Sequence, residues 1–137
     1  MNQIYDDTIS IIKRATGLQK KRIILADDED TFRNFLAMHL AEMGYSVSEA
    51  QNGEQALELF NKKESPDLLI VDYDMPIKNG AQVIREIRKT DMKIPIIVIT
   101  GYLTEAEMMI GNSWVTVIGK PFDVDTLDIA IESHLQK

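Results

Sequence analysis

The 137-residue chain contains no cysteine. That excludes a disulfide framework, a thiolate zinc site and a cysteine nucleophile. It also lacks any apolar run long enough to span a bilayer. Its start carries Asp6 and Asp7 ahead of a short apolar patch, Ile9 to Ile12, instead of the basic start and long apolar core of a secretory signal. A cytoplasmic location is the expectation. Basic residues are scarce, 15 Lys and Arg against 22 Asp and Glu, for a net charge of −7. Lys20-Lys21-Arg22 is the one basic cluster. Such a chain is repelled by phosphate backbones and anionic lipid, so neither direct nucleic-acid binding nor membrane adhesion is expected.

What is present is ordinary globular composition, 45% hydrophobic and 27% charged, and a length suited to one compact core. Five short Ile-, Val- and Leu-rich runs have strand length: Arg22–Ala26, Tyr45–Ala50, Asp67–Val71, Ile94–Ile99 and Trp114–Ile118. The third and fourth are continuously apolar, as in parallel strands buried on both faces. Helical stripes alternate with them. Phe32, Phe35, Leu36, His39, Leu40 and Met43 form the first, stopped by Gly44. Ala56, Leu57 and Phe60 form the second, and Val83, Ile84 and Ile87 the third, after the turn signal Asn79-Gly80. Glu105 to Ile110 is a weak helix, in which Met108, Met109 and Ile110 either pack on the sheet or offer an adaptable contact surface. Val124, Leu127, Ile131 and Leu135 make the last stripe, opened by Asp123 as N-cap. The alternation predicts a doubly wound α/β domain with a parallel sheet. Residues 1–20 fall outside it and read as an N-terminal helical extension, with Ile4, Thr8, Ile11, Ala15 and Leu18 on one face; residues 21–137 form the domain.

In open parallel sheets, ligands bind beyond the carboxyl ends of the strands. The first strand exits into Asp27-Asp28-Glu29-Asp30, the third into Asp72-Tyr73-Asp74-Met75-Pro76, the fourth into Thr100-Gly101 and the fifth into Gly119-Lys120-Pro121-Phe122. Any one of these could be a helix cap, a turn residue or a plain surface group. Together they place carboxylates, a hydroxyl and an ammonium on one sheet edge. Asp27, Asp28 and Asp72 crowded together repel, so at least one pKa should rise. A hard divalent cation relieves that conflict, and Mg²⁺ suits a few carboxylates with waters and a phosphate oxygen. A carboxylate beside such an ion can attack phosphorus, with a lysine and a hydroxyl to stabilise the transferred group.

The residues Asp27-Asp28, Asp72-x-x-Met75-Pro76-x-x-x-Gly80, Thr100-Gly101 and Lys120-Pro121-Phe122 resemble the receiver domain of two-component response regulators, of the single-domain chemotaxis type. The resemblance implies a flavodoxin-like, five-stranded parallel sheet of order 2-1-3-4-5. It implies that Asp72 accepts a phosphoryl group from a sensor histidine kinase, a histidine phosphotransfer protein or a small phosphodonor. Mg²⁺ would be held by Asp28, Asp72 and the backbone carbonyl of Asp74, with Asp27 a direct or water-mediated ligand. Lys120 would pair with the phosphoryl group and Thr100 would hydrogen-bond to it. Asp74, Tyr102 and Gly101 would modulate the lifetime of the phosphorylated state. The output would be a switch in binding to a downstream protein, or homodimerisation, with chemistry limited to the chain's own phosphorylation and dephosphorylation.

One position departs from the pattern. Val117 stands three residues before Lys120, where receivers usually carry an aromatic residue. Trp114 is the nearest aromatic, but its parity puts it on the other face, in a core or edge role. His39 and His134 read as a partly buried spacer and an exposed tail residue. Two other functions compete with the phosphorylated switch: a degenerate receiver binding partners without phosphorylation, and a haloacid-dehalogenase-like phosphatase, suggested by Asp72-Tyr73-Asp74 at the end of an apolar strand.

Overall fold

A computed structural model describes residues 8–9, 11–12, 20–62, 64–103 and 114–135. In chain order the elements are β1 (Arg22–Ala26), α1 (Asp30–Glu42), β2 (Ser46–Ala50), α2 (Gly53–Phe60), β3 (Leu68–Asp72), α3 (Gly80–Arg88), β4 (Ile96–Thr100), β5 (Val115–Gly119) and α4 (Val124–Leu135). The strands form one parallel sheet of order β2-β1-β3-β4-β5. This is the doubly wound, flavodoxin-like order. β1 and β2 end where the apolar runs end, whereas β3, β4 and β5 each run one residue further, so Asp72 and Thr100 close β3 and β4 rather than follow them.

Side chains alternate across the sheet into two cores. Ile24, Ala26, Leu69, Val71, Ile96 and Val98 pack with Ala56 of α2 and with Val83, Ile84 and Ile87 of α3. Ile23, Leu25, Leu68, Ile70, Ile97 and Ile99 pack with Leu36 and Leu40 of α1 and with Leu127 and Ile131 of α4. Central β3 and β4 are buried at every residue, which is why their sequences show no polar alternation.

The helix starts follow local chemistry. Asn79 opens α3 with a full capping box: its Oδ1 accepts the Gln82 N–H at 2.9 Å, and Gln82 Oε1 accepts the Asn79 N–H at 2.8 Å. The Asn79-Gly80 pair is thus a cap as well as a turn. Asp123 Oδ1 accepts the Thr126 N–H at 3.0 Å, as expected of an N-cap. Gly44 adopts φ +101 beyond the end of α1, a conformation that favours glycine.

The inner face of α1 differs from the expected stripe. Leu36 and Leu40 are buried, but Phe35 is 56% exposed and Met43 is exposed too, while Arg33 and Ala37 take the inner positions. Apolarity alone misassigns this face because Arg33 finds buried polar partners there. The expected helix at 105–110, with Met108, Met109 and Ile110, lies outside the described residues, as does most of the N-terminal extension. Thr8, Ile9, Ile11 and Ile12 of that extension are helical. No helix among the described residues is long and apolar enough to cross a membrane.

Candidate functional site

Among the described residues, the buried polar or charged side chains are Asp27, Arg33, Asp72 and Thr100. All four lie at the carboxyl end of the sheet. Burying such groups is costly unless they are paired, so their convergence marks a built site.

Sheet register brings the parts together. Ala26 pairs with Val71, so Asp27 leaves β1 beside Asp72 at the end of β3. Asp72 pairs with Ile99, and Thr100 with Gly119. The Lys120 N–H then donates to the Thr100 carbonyl at 2.7 Å. From that anchor the Lys120 ammonium donates to Asp72 Oδ2 at 3.3 Å and lies 3.8 Å from Asp27 Oδ2. It also sits 5.2 Å from the centre of the Phe32 ring, which meets Phe122 edge-on at 6.0 Å. The aromatic pair therefore walls one side of the lysine's path, and a cation over a ring face is favourable.

Carboxylate oxygens of Asp27, Asp28 and Asp72 all lie within 4.8 Å of one another. Burial raises the Asp72 pKa to about 6, and the neighbouring Asp27 charge adds to this; the Asp74 N–H and Lys120 pull the other way. Asp27 is raised as well, first by burial and then by the charges of Asp28 and Glu29. The expected electrostatic conflict is present, and one lysine does not cancel it. Three hard oxygen donors at this spacing fit Mg²⁺.

The remaining site residues fall around this trio. Asp74 is exposed, and its N–H donates to Asp72 Oδ1 at 3.2 Å. Its carboxylate is not part of the acidic trio. Thr100 is fully buried, and its Oγ1 accepts the Tyr102 N–H at 2.9 Å, while the Tyr102 ring is exposed. Among the described residues, nothing lies within 4 Å of where a Cβ on Gly101 would stand. Neither Asp27 nor Asp28 caps α1. Glu29 holds the cap position, and its N–H donates to Asp27 Oδ1 at 2.9 Å. Val117 pairs with Val98 and is half-buried against the α2–α3 side of the sheet. Trp114 precedes β5 at the sheet edge, its carbonyl accepting the Ile96 N–H at 2.9 Å.

Both histidines differ from their expected roles. His39 is no spacer: its Nε2 lies 2.9 Å from Asp128 Oδ1 and joins α1 to α4. His134 is half-buried and pairs with Thr116 Oγ1 at 2.8 Å. Sequence reasoning also passed over Arg33, whose guanidinium donates to the Asp27 carbonyl at 2.8 Å. The available signal was a basic residue within an apolar stripe.

A family model described as the response regulator receiver domain matches residues 23–132. Regulatory protein AtoC of Escherichia coli (strain K12) is 35% identical over 118 residues, covering 84% of this chain and 25% of that protein. A probable transcriptional regulator, ycf27, of Cyanidium caldarium is 37% identical over 129 residues, covering 90% of this chain and 51% of the relative. The chain thus spans about half or less of these relatives' length. Among solved structures, the Thermotoga maritima response regulator TrrA in complex with Mg²⁺-BeF superposes with TM-score 0.73 at 34% identity, covering 84% of this chain and 99% of that one. A Clostridium thermocellum response regulator receiver domain gives TM-score 0.78 at 28% identity, covering 85% and 94%. The strand order, the acidic trio beside a lysine and the family match over most of the sequence agree, and the chain belongs to the receiver domains of two-component response regulators.

Proposed function

We propose that this receiver is a phosphorylatable switch in which Asp72 takes a phosphoryl group from the phosphohistidine of a sensor histidine kinase or histidine phosphotransfer protein. The observation that carries this reading is the buried Asp72 carboxylate, bonded to the Lys120 ammonium and grouped with Asp27 and Asp28. In the transfer, an Asp72 oxygen forms a bond to phosphorus as the phosphorus–nitrogen bond breaks, and its electron pair returns to the donor imidazole. Lys120 meets charge on the phosphoryl oxygens, and the Thr100 hydroxyl donates to one of them after transfer. Asp28, Asp72 and the Asp74 carbonyl, with Asp27 directly or through water, would hold Mg²⁺, which when bound neutralises charge on the transferring group. Asp74, Tyr102 and Gly101 border the path by which water reaches the product and so set its lifetime. The chemistry is self-limited, one phosphoryl group per chain.

Receivers convert phosphorylation into a shifted equilibrium between surfaces. With valine at position 117, the change runs through Thr100 and the backbone it holds at Tyr102, rather than through an inward-turning ring. The readout is a partner protein, a second copy of the chain, or a DNA-binding unit. The last is supported by relatives named as transcriptional regulators, of which this region is only a part. The receiver's own charge of −7 keeps it off the duplex itself.

Intact mass after incubation with acetyl phosphate tests the reading. One added phosphoryl group with Mg²⁺, absent without it and absent in Asp72→Asn, is the expected result. No addition from acetyl phosphate or from phosphorylated histidine kinases would favour a receiver that binds partners unphosphorylated. Repeated turnover of excess phosphate ester would favour a phosphatase.

A further inference from the structure

Asp28 poses a question the acidic trio does not answer. Its carboxylate is exposed, yet it is held close to Asp27 and Asp72, which repel it. Among the described residues it has no hydrogen-bond or ion-pair partner of its own. Its position must therefore be imposed by the backbone at Asp27 and Asp28.

That backbone is clamped from two sides. The Asp27 N–H donates to the Ala50 carbonyl at the end of β2, at 3.1 Å. The Asp27 carbonyl accepts from Arg33 Nη1 at 2.8 Å. Arg33 is only 5% exposed, and its other nitrogens are also engaged. Nε donates to Glu49 Oε1 at 3.0 Å, and Nη2 lies 2.9 Å from Asp30 Oδ1. One planar guanidinium thus joins the exit of β1, the first turn of α1 and the edge of β2. A lysine could replace the charge but not the three-way fork.

The carbonyl that Arg33 holds belongs to the peptide linking Asp27 to Asp28. Rotation of that peptide would swing the Asp28 carboxylate out of the trio. We infer that Arg33, braced by Glu49, is a positioning residue that presets the Asp27–Asp28 peptide and so keeps the Asp28 carboxylate ready for a divalent cation. The inference rests on the proposed Mg²⁺ site. Partners one step removed from metal ligands typically alter affinity by about 10–100-fold when changed.

The test is Mg²⁺ titration of the whole chain by calorimetry, comparing native protein with Arg33→Lys and Glu49→Gln, alongside thermal unfolding in EDTA. Arg33→Lys is expected to fold and to bind Mg²⁺ on the order of 10-fold more weakly. Its phosphorylation from acetyl phosphate should be slow at low Mg²⁺ and recover at saturating Mg²⁺. Glu49→Gln keeps an acceptor but loses the charge, and should weaken Mg²⁺ binding by a smaller factor in the same direction. It carries the test if Arg33→Lys does not fold. Lower melting temperatures with unchanged Mg²⁺ affinity would overturn the inference and leave Arg33 a merely structural residue. Absence of Mg²⁺ binding by the native chain would overturn the metal-site reading, and this inference with it.

Discussion

Lys120 Nζ lies 3.3 Å from Asp72 Oδ2, although 48 residues separate the two in sequence. The contact spans β4, which stands between their strands, because backbone pairing of Lys120 with Thr100 lifts the lysine onto the sheet edge. A long ammonium side chain reaching across a strand thus adds positive charge to the site.

Replacing Lys120 with Met removes that charge and keeps much of the stem. Loss of one preorganised donor facing developing charge typically costs about 100–1,000-fold in rate. Lys120→Met should therefore slow Asp72 phosphorylation by roughly 100-fold. A time course of intact mass with acetyl phosphate measures it. A rate within twofold of native would remove Lys120 from the transfer step.

The raised Asp72 pKa also predicts how metal-free stability depends on pH. Burial, then the Asp27 charge, lift it from 3.8 to about 6. Below pH 3.8 the group is protonated in folded and unfolded chains alike, so it carries no penalty. Between pH 3.8 and about 6 the unfolded chain loses the proton while the folded chain keeps it, so stability falls across that window and levels off above it. A shift of this size corresponds to an order of 2–3 kcal/mol. In EDTA, Asp72→Asn should be more stable than native protein at pH 7.5, and the gap should narrow towards pH 4. Mg²⁺ should then favour the native chain, because a ligand bound by the folded state alone stabilises it. Urea unfolding at the two pH values, with and without Mg²⁺, measures each part. Parallel pH profiles for the two proteins would show that Asp72 is not strained.

Gly80 ties the fold to the site from the far side of the loop. Its N–H donates to the Tyr73 carbonyl at 2.8 Å. A Cβ there would stand 2.9 Å from Tyr73 Cα and 3.2 Å from the Asp72 carbonyl. Neither is a flexible side-chain tip, so the backbone behind Asp72 must shift. Gly80→Ala should cost about 1–3 kcal/mol of stability, the range for overpacking. It should also slow phosphorylation at saturating Mg²⁺, which an equal destabilisation elsewhere in the core would not do. Denaturant unfolding and the mass time course separate the two effects.

These relationships explain which parts of the protein were legible from sequence. Leu68–Asp72 and Ile96–Thr100 announced themselves because strands buried on both faces leave unbroken apolar runs. Asp27, Asp28, Asp72, Thr100 and Lys120 were legible because each stands at a strand end, and a parallel sheet gathers strand ends along one edge. Arg33 and His39 were not, because their roles depend on partners brought in by folding: Glu49 lies 16 residues from Arg33, and Asp128 lies 89 from His39. A polar residue in an apolar helical stripe reads as a flaw in the pattern until its partner is seen. Phe35 departs from the expected stripe because the buried face of α1 runs through Arg33, Leu36, Ala37 and Leu40, and a residue two positions from Arg33 points away from it.

Thr100 offers the sharpest test of how a receiver with Val117 signals. Its hydroxyl is fully buried and accepts the Tyr102 N–H, which fixes the first residues after β4. If that hydroxyl turns to donate to a phosphoryl group, it can still accept from Tyr102 through a lone pair, so the backbone at Tyr102 must follow it. Thr100→Val keeps the shape of the side chain and removes the oxygen. It leaves the Tyr102 N–H without its acceptor, a loss of about 1–3 kcal/mol for a buried group and less for one partly open to water. Phosphorylation of Asp72 should continue within a few-fold of the native rate, because the attacking oxygen and Lys120 are untouched. The amide resonance of Tyr102 should shift on phosphorylation in the native chain and stay in place in Thr100→Val. Movement of that resonance in both proteins would show that the response reaches the end of β4 by a route that does not pass through Thr100.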